Sequence, residues 1–169
     1  MKIGVDICNT VADVLTEIER RLGKYDWHTY YHPNMPESFF EENKDIFLKA
    51  RPYANAAKVL KELSKEHEII YITSRPAWAK EYTVQWLKSH DFPNPENVIF
   101  TDNKAKAVVE NRVKYMIEDA PHEIRKMLSI DVKLIMKVQP YNKDYFYFIR
   151  KIVKWDDIMY YFNLSRQIA

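Results

Sequence analysis

Glycine is nearly missing from this chain: Gly4 and Gly23 are the only two among 169 residues. A phosphate-cradling loop of the Walker or dinucleotide type needs several glycines close together, so both are excluded. Cysteine is scarcer still. Cys8 stands alone, which excludes an internal disulfide framework and suits a reducing compartment. No window approaches the ~20 consecutive apolar residues of a membrane-spanning helix. Neither sign of charge dominates, since 26 basic side chains face 24 acidic ones for a net charge of +2. No long Lys/Arg run or basic arm is present, so a nucleic-acid footprint is not expected. The opening MKIGVDI carries Asp6 within a short apolar stretch and reads as a strand, not a signal peptide. The expectation is a soluble, cytoplasmic protein of one domain that buries roughly two-thirds of its unfolded surface.

What is present is a regular alternation. Ile3–Ile7, Glu68–Thr73, Asn97–Phe100 and Tyr115–Ile117 are short apolar runs of the kind that form buried parallel strands, and Val132–Val138 is a fifth. Helical spacing fills the gaps. Val11, Val14, Leu15, Ile18 and Leu22 make one stripe, stopped by Gly23; Ala57, Val59, Leu60 and Leu63 make a second. Trp78, Tyr82, Val84, Trp86 and Leu87 make a third, entered through Pro76, and KWDDIMYYF reads as a closing amphipathic helix. This βα alternation predicts an α/β fold with a doubly wound, mostly parallel sheet. Residues 24–52 break the pattern, being aromatic and punctuated by proline, with one helix expected over Pro36–Ala50. They read as a small cap inserted after the first strand and helix, over a core of residues 1–23 and 53–169.

In such sheets ligands bind beyond the carboxyl ends of the strands. The first strand delivers Asp6, Cys8, Asn9 and Thr10 there, and the second Thr73, Ser74 and Arg75. Thr101, Asp102 and Lys104 follow the third, and Glu118 and Asp119 end the fourth. A carboxylate, hydroxyls, an ammonium and an acidic pair suit a site for Mg²⁺ and phosphate, because carboxylate oxygens hold a hard cation while hydroxyl and ammonium hold phosphate oxygens. Plainer uses compete. Asp6 could cap the following helix, Thr73 and Ser74 could cap the Trp78 helix, Arg75 reads as a surface or substrate-edge residue, and Lys106 rivals Lys104. Glu118 and Asp119 are harder to dismiss, because adjacent carboxylates repel unless a cation lies between them. Trp27, Tyr30, Tyr31, Phe39 and Phe40 read first as the interior of the cap, with stacking on a nucleobase as the alternative. The histidines show no metal-ligand spacing.

The order of these residues resembles that of haloacid dehalogenase-like phosphohydrolases, and most nearly their 5′(3′)-deoxyribonucleotidase branch. VDICNTVADV is similar to the first motif of that branch, HEIIYITSRP to the second, FTDNK to the third and YMIEDAPHEI to the fourth. PYN at Pro140–Asn142 and RKIVKW at Arg150–Trp155 extend the likeness over nearly the whole chain. The resemblance implies that Asp6 attacks phosphorus to form an aspartyl-phosphate. It implies Mg²⁺ held by Asp6, the Cys8 carbonyl and Asp119, with Glu118 near, and a phosphoryl group steadied by Thr73, Ser74 and Lys104. The substrate implied is a small phosphomonoester of the nucleoside monophosphate type, its leaving nucleoside enclosed by the cap. A receiver domain also uses Asp, Thr and Lys, but carries its acidic pair on the first strand; here the pair comes last.

One position departs from the resemblance. Two residues after the nucleophile that family has a second Asp as general acid/base, and here the residue is Cys8; Asn9 replaces the usual glycine. Asn tolerates left-handed backbone. A thiol, with an unperturbed pKa of about 8.5, is a weak donor in place of a carboxylic acid. Loss of a positioned acid/base costs about 10²–10⁴ in rate, or roughly 3–5 kcal/mol of barrier. Asp13 lies too far along to substitute. The sequence therefore reads as a phosphohydrolase with a weakened acid/base step, the alternative being a catalytically silent protein that binds phosphate or nucleotide without turnover.

Overall fold

A computed structural model describes residues 1–162. The first strand, β1 (Lys2–Val5), lies at the centre of a six-stranded sheet. A two-residue strand, β2 (Ala12–Asp13), leads into helix α1 (Val14–Leu22). Two single helical turns follow, α2 (Phe39–Glu42) and α3 (Ile46–Lys49), and then β3 (Arg51–Pro52), which pairs antiparallel with β2. The alternation resumes with α4 (Ala56–Ser64), β4 (Glu68–Thr73), α5 (Lys80–Ser89), β5 (Val98–Phe100), α6 (Lys104–Glu110), β6 (Val113–Glu118), α7 (Pro121–Met127) and β7 (Lys133–Lys137). A last strand, β8 (Arg150–Ile152), precedes a 3₁₀ turn and α8 (Ile158–Tyr161). The sheet order is β5-β4-β1-β6-β7-β8, and every pairing in it is parallel. No described helix is long and apolar enough to cross a membrane.

Strands buried on both faces need apolar side chains at odd and even positions alike. In β4, Ile69 and Tyr71 join a core with Ile3, Val5, Leu15, Val59, Trp86 and Leu87, while Ile70 and Ile72 point oppositely toward Val108, Met116 and Met127. Helices α1, α4 and α5 thus cover one face, and α6 and α7 the other. Each such Ile or Leu, wholly removed from water, contributes about 1.5–3 kcal/mol. Gly4 sits where β1 crosses the second core. A Cβ there would meet Met116 Sδ at 2.7 Å and Val113 Cγ1 at 3.1 Å, so any larger residue has to displace those side chains.

Several expectations need revision. The sheet has a sixth strand, β8, which the apolar runs did not mark. The helix expected over Pro36–Ala50 is broken into α2 and α3, because the Asn43 side chain donates to the Phe39 carbonyl at 2.8 Å and ends the first turn. In α5 the buried position is Thr83, while Val84 is only half-buried. Val11, counted with the first stripe, is buried just ahead of α1. Gly23 ends α1 as expected, at φ +96°. The final helix is a single turn, anchored by the buried Trp155 and Ile158.

Candidate active site

The turn after β1 is wound around one carbonyl. The amides of Thr10, Val11 and Ala12 all reach the Ile7 oxygen, at 3.3, 3.0 and 2.9 Å, and Asn9 takes φ 61° to close it. Asn9 fits because its short polar side chain tolerates that region; its Oδ1 also accepts from the Leu15 amide at 3.2 Å. The turn is braced from the far end of the chain. Gln139 Nε2 donates to the Asn9 carbonyl at 2.6 Å, and Trp155 Nε1 to the Thr10 carbonyl at 3.0 Å. Asp13 caps α1, its carboxylate accepting from the Thr16 amide at 3.1 Å. It has no part in the site.

Asp6, just past β1, keeps the ladder through its amide to the Ile117 carbonyl at 2.9 Å, which sets its side chain beside the end of β6. There Asp6, Glu118 and Asp119 each present an oxygen within 4.8 Å of the others, and all three are buried. Lys104, the first residue of α6, is buried between them, 2.6 Å from Asp6 Oδ1 and 2.7 Å from Glu118 Oε2. Lys106 points outward to Glu110, which decides between the two lysines. Glu118 is fully engaged, since its Oε1 also accepts from the amides of Asp119 and Ala120, both at 3.0 Å. Asp119 accepts from Thr10 Oγ1 at 2.7 Å and from the Tyr141 hydroxyl. Thr10 lies 3.0 Å from Asp6 as well, and its single proton serves one carboxylate at a time.

Three carboxylates against one ammonium leave the cluster short of positive charge. Burial, with Asp6 beside it, pushes Glu118 up to about 7 despite Lys104. Burial, then Asp6 and Glu118, pushes Asp119 well above the carboxylate range, against the pull of Tyr141 and Thr10. For Lys104, burial alone would lower its pKa, but Asp6 and Glu118 outweigh it, and the ammonium stays charged. Closely spaced hard oxygens with an excess of negative charge fit a divalent cation of the Mg²⁺ or Ca²⁺ kind. Asp6, Glu118 and Asp119 are the residues able to hold it, Glu118 being engaged by the backbone amides as well as by Lys104.

A cavity of about 370 Å³ opens above the cluster, its wall including Asp6, Cys8, Thr73, Ser74, Arg75 and Lys104. The residues expected from the strand ends are thus brought together. Thr73 Oγ1 accepts the Arg75 amide at 3.2 Å. Cys8 takes a hydrogen bond on its sulfur from Arg75 Nε at 3.1 Å; burial raises its thiol, with Arg75 opposing, so the thiol stays protonated. Arg75 itself corrects the surface reading: it is 5 % exposed. The opposite wall comes from residues 30–47, with Tyr30, Met35, Phe40 and Phe47. Tyr30 packs edge-on against His122 at 4.8 Å and Tyr141 at 5.1 Å. Trp27 and Phe39 are buried in the core as expected, away from the cavity wall. Glu123, also in the wall, is buried, and its Oε2 has no hydrogen-bond partner among the described residues.

Sequence reasoning quoted Tyr141 and Asn142 within PYN without giving them a role, and missed Gln139. Asn142 Nδ2 donates to the Asp119 carbonyl at 2.8 Å and fixes the backbone there. All three follow β7, so the strand-end rule applied to the fifth strand would have found them.

Comparison with known proteins agrees with this architecture. The family model for "5′ nucleotidase, deoxy (Pyrimidine), cytosolic type C protein" matches residues 5–167. A "Putative nucleotidase" of Oceanobacillus iheyensis is 30% identical, covering 94% of this chain and 97% of its own. One of the same description from Bacillus cereus is 25% identical, over 94% and 96%. Among solved structures, a haloacid dehalogenase family hydrolase of Deinococcus radiodurans, with bound phosphate and sodium, superposes with TM-score 0.63 at 11% identity, covering 97% of this chain and 95% of its own. A haloacid dehalogenase-like hydrolase of Streptococcus pneumoniae gives TM-score 0.62 at 13% identity, over 95% and 97%. With the fold of haloacid dehalogenase-like hydrolases and a family match along nearly its whole length, this chain belongs to the cytosolic type C 5′-nucleotidase family.

Proposed function

We propose that the protein is a cytoplasmic, Mg²⁺-dependent phosphohydrolase that removes phosphate from nucleoside monophosphates or similar small phosphomonoesters. The observation that carries this reading is the buried Asp6–Lys104–Glu118–Asp119 cluster, of which Asp6 and Lys104 stand in the wall of a cavity of about 370 Å³. An Asp6 oxygen bonds to phosphorus as the ester P–O bond breaks, giving an aspartyl-phosphate that water later hydrolyses. Thr73, Ser74 and Lys104 hold the phosphoryl oxygens, whose spread charge needs neutralising more than covalent help. Asp6, Asp119 and the Cys8 carbonyl would hold Mg²⁺, which supplies further neutralisation of those oxygens. Glu118 keeps Lys104 charged and in place. Residues 24–52 act as a cap that encloses the leaving group between Tyr30, Phe40 and Phe47.

A second reading, binding without turnover, draws on Cys8, whose protonated thiol is a poor stand-in for a carboxylic acid. One assay separates the two: phosphate release from nucleoside monophosphates and p-nitrophenyl phosphate, with Mg²⁺ and with EDTA. Release only with Mg²⁺ is the expected result, and binding without release favours the silent protein. Cys8→Asp should raise nucleoside monophosphate hydrolysis by at least about tenfold. A folded Cys8→Asp protein with no gain would remove the acid/base account.

A further inference from the structure

Two cationic side chains, Lys104 and Arg75, stand in the wall of the cavity. Lys104 is committed to Asp6 and Glu118. Arg75 is not: among the described residues no carboxylate pairs with it, although it is only 5 % exposed. Its partners are neutral. Nε donates to Cys8 Sγ at 3.1 Å and Nη1 to Thr83 Oγ1 at 3.0 Å, while the guanidinium lies 4.3 Å over the Phe47 ring. Nη2 has no partner. Burying a cation without an anion is costly, and the cost is offset when an anion enters the site.

The location narrows which anion. Arg75 follows β4 and the acidic pair ends β6, and these strands flank β1 on opposite sides. Arg75 therefore approaches the end of β1 from the side away from Glu118 and Asp119, its guanidinium at the sulfur of Cys8, in a cavity wall that it shares with Asp6. A thiol sulfur is a weak acceptor, so a substrate oxygen can take over the Nε donor at little loss. A carboxylate at residue 8 would instead hold the guanidinium.

We propose that Arg75 is a catalytic residue that donates to the leaving oxygen of the phosphoester. The role rests on the phosphohydrolase reading above. As the Asp6 oxygen bonds to phosphorus, the electron pair of the breaking P–O bond moves to the leaving oxygen. Guanidinium cannot release its proton at working pH, but its N–H groups stabilise the developing charge. Solvent water then protonates the alkoxide, and the hydroxide so formed attacks phosphorus and frees the Asp6 carboxylate. The substrates favoured are esters whose leaving oxygen carries negative charge well or is held by this donor.

The test compares a nucleoside 5′-monophosphate, whose leaving group is a poor alkoxide, with p-nitrophenyl phosphate, whose leaving group is stable without a proton. Arg75→Met keeps the length and loses the charge; Arg75→Lys restores the charge, and both are checked for folding by thermal melting. Arg75→Met should lower kcat about 10²-fold on the nucleotide but less than about fivefold on p-nitrophenyl phosphate, and Arg75→Lys should recover part of the difference. Equal losses on both esters, or no loss, overturn the role. If Arg75→Met fails to fold, Arg75→Lys carries the same contrast at smaller size, because a point charge replaces a fork of donors. Wild-type protein that releases phosphate from neither ester overturns the phosphohydrolase reading itself, and Arg75's role with it.

Discussion

Gly4 shows how little room a single residue has at the centre of this sheet. Its missing Cβ leaves space that Met116 Sδ and Val113 Cγ1 fill from β6. Gly4→Ala should cost about 1–3 kcal/mol through overpacking, read as a lower urea midpoint. A smaller cost would mean that the Met116 chain end swings aside. At this scale the site was legible where a side chain's place follows from its own strand. Asp6, Thr73, Glu118 and Asp119 sit at strand ends by position, and Lys104 at the start of α6. The place of Arg75 at a strand end was legible too, but its burial was not, because that depends on Thr83, Phe47 and Cys8, brought to it from three separate segments. Tyr141 likewise reaches Asp119 only through the loop after β7.

Helix α1 illustrates an element whose sequence signals agree. Asp13 caps its first turn and Gly23 ends it. Asp13→Ala should lower stability by about 1 kcal/mol with an unchanged denaturant slope. Phosphate release should change no more than that loss explains; a larger fall would give Asp13 a chemical part. Elsewhere the signals were thin. Strand β8 is three residues long, with Arg150 and Lys151 ahead of Ile152, so no apolar run announced it. It forms because its backbone completes the edge of β7 and Ile152 enters the main core. The break between α2 and α3 depended on one side-chain-to-backbone bond that residue spacing does not reveal.

The molecule as a whole carries an unneutralised charge at its centre, and its stability should report on it. Glu118 binds its proton more tightly when folded, its pKa raised from 4.5 to about 7 by burial first and then Asp6. A group raised in this way contributes stability that is full below its unfolded pKa and lost as pH rises through the folded one. In EDTA the urea midpoint should therefore fall between about pH 4.5 and 7, and Mg²⁺ should offset that fall. A midpoint indifferent to Mg²⁺ across this range would argue against a cation at the cluster.

The small ribbon of β2 and β3 has a consequence of its own. Ala12 and Asp13 pair with Pro52 and Arg51, so the chain departs and returns at one fixed doorway beside the turn after β1. Loop closure grows costlier only slowly with length. What is threaded between those two anchors can therefore be traded for a longer, shorter or differently shaped excursion while the six-stranded frame and its buried acids stay put, so the far wall of the cavity is free to change shape without disturbing the cluster beneath it.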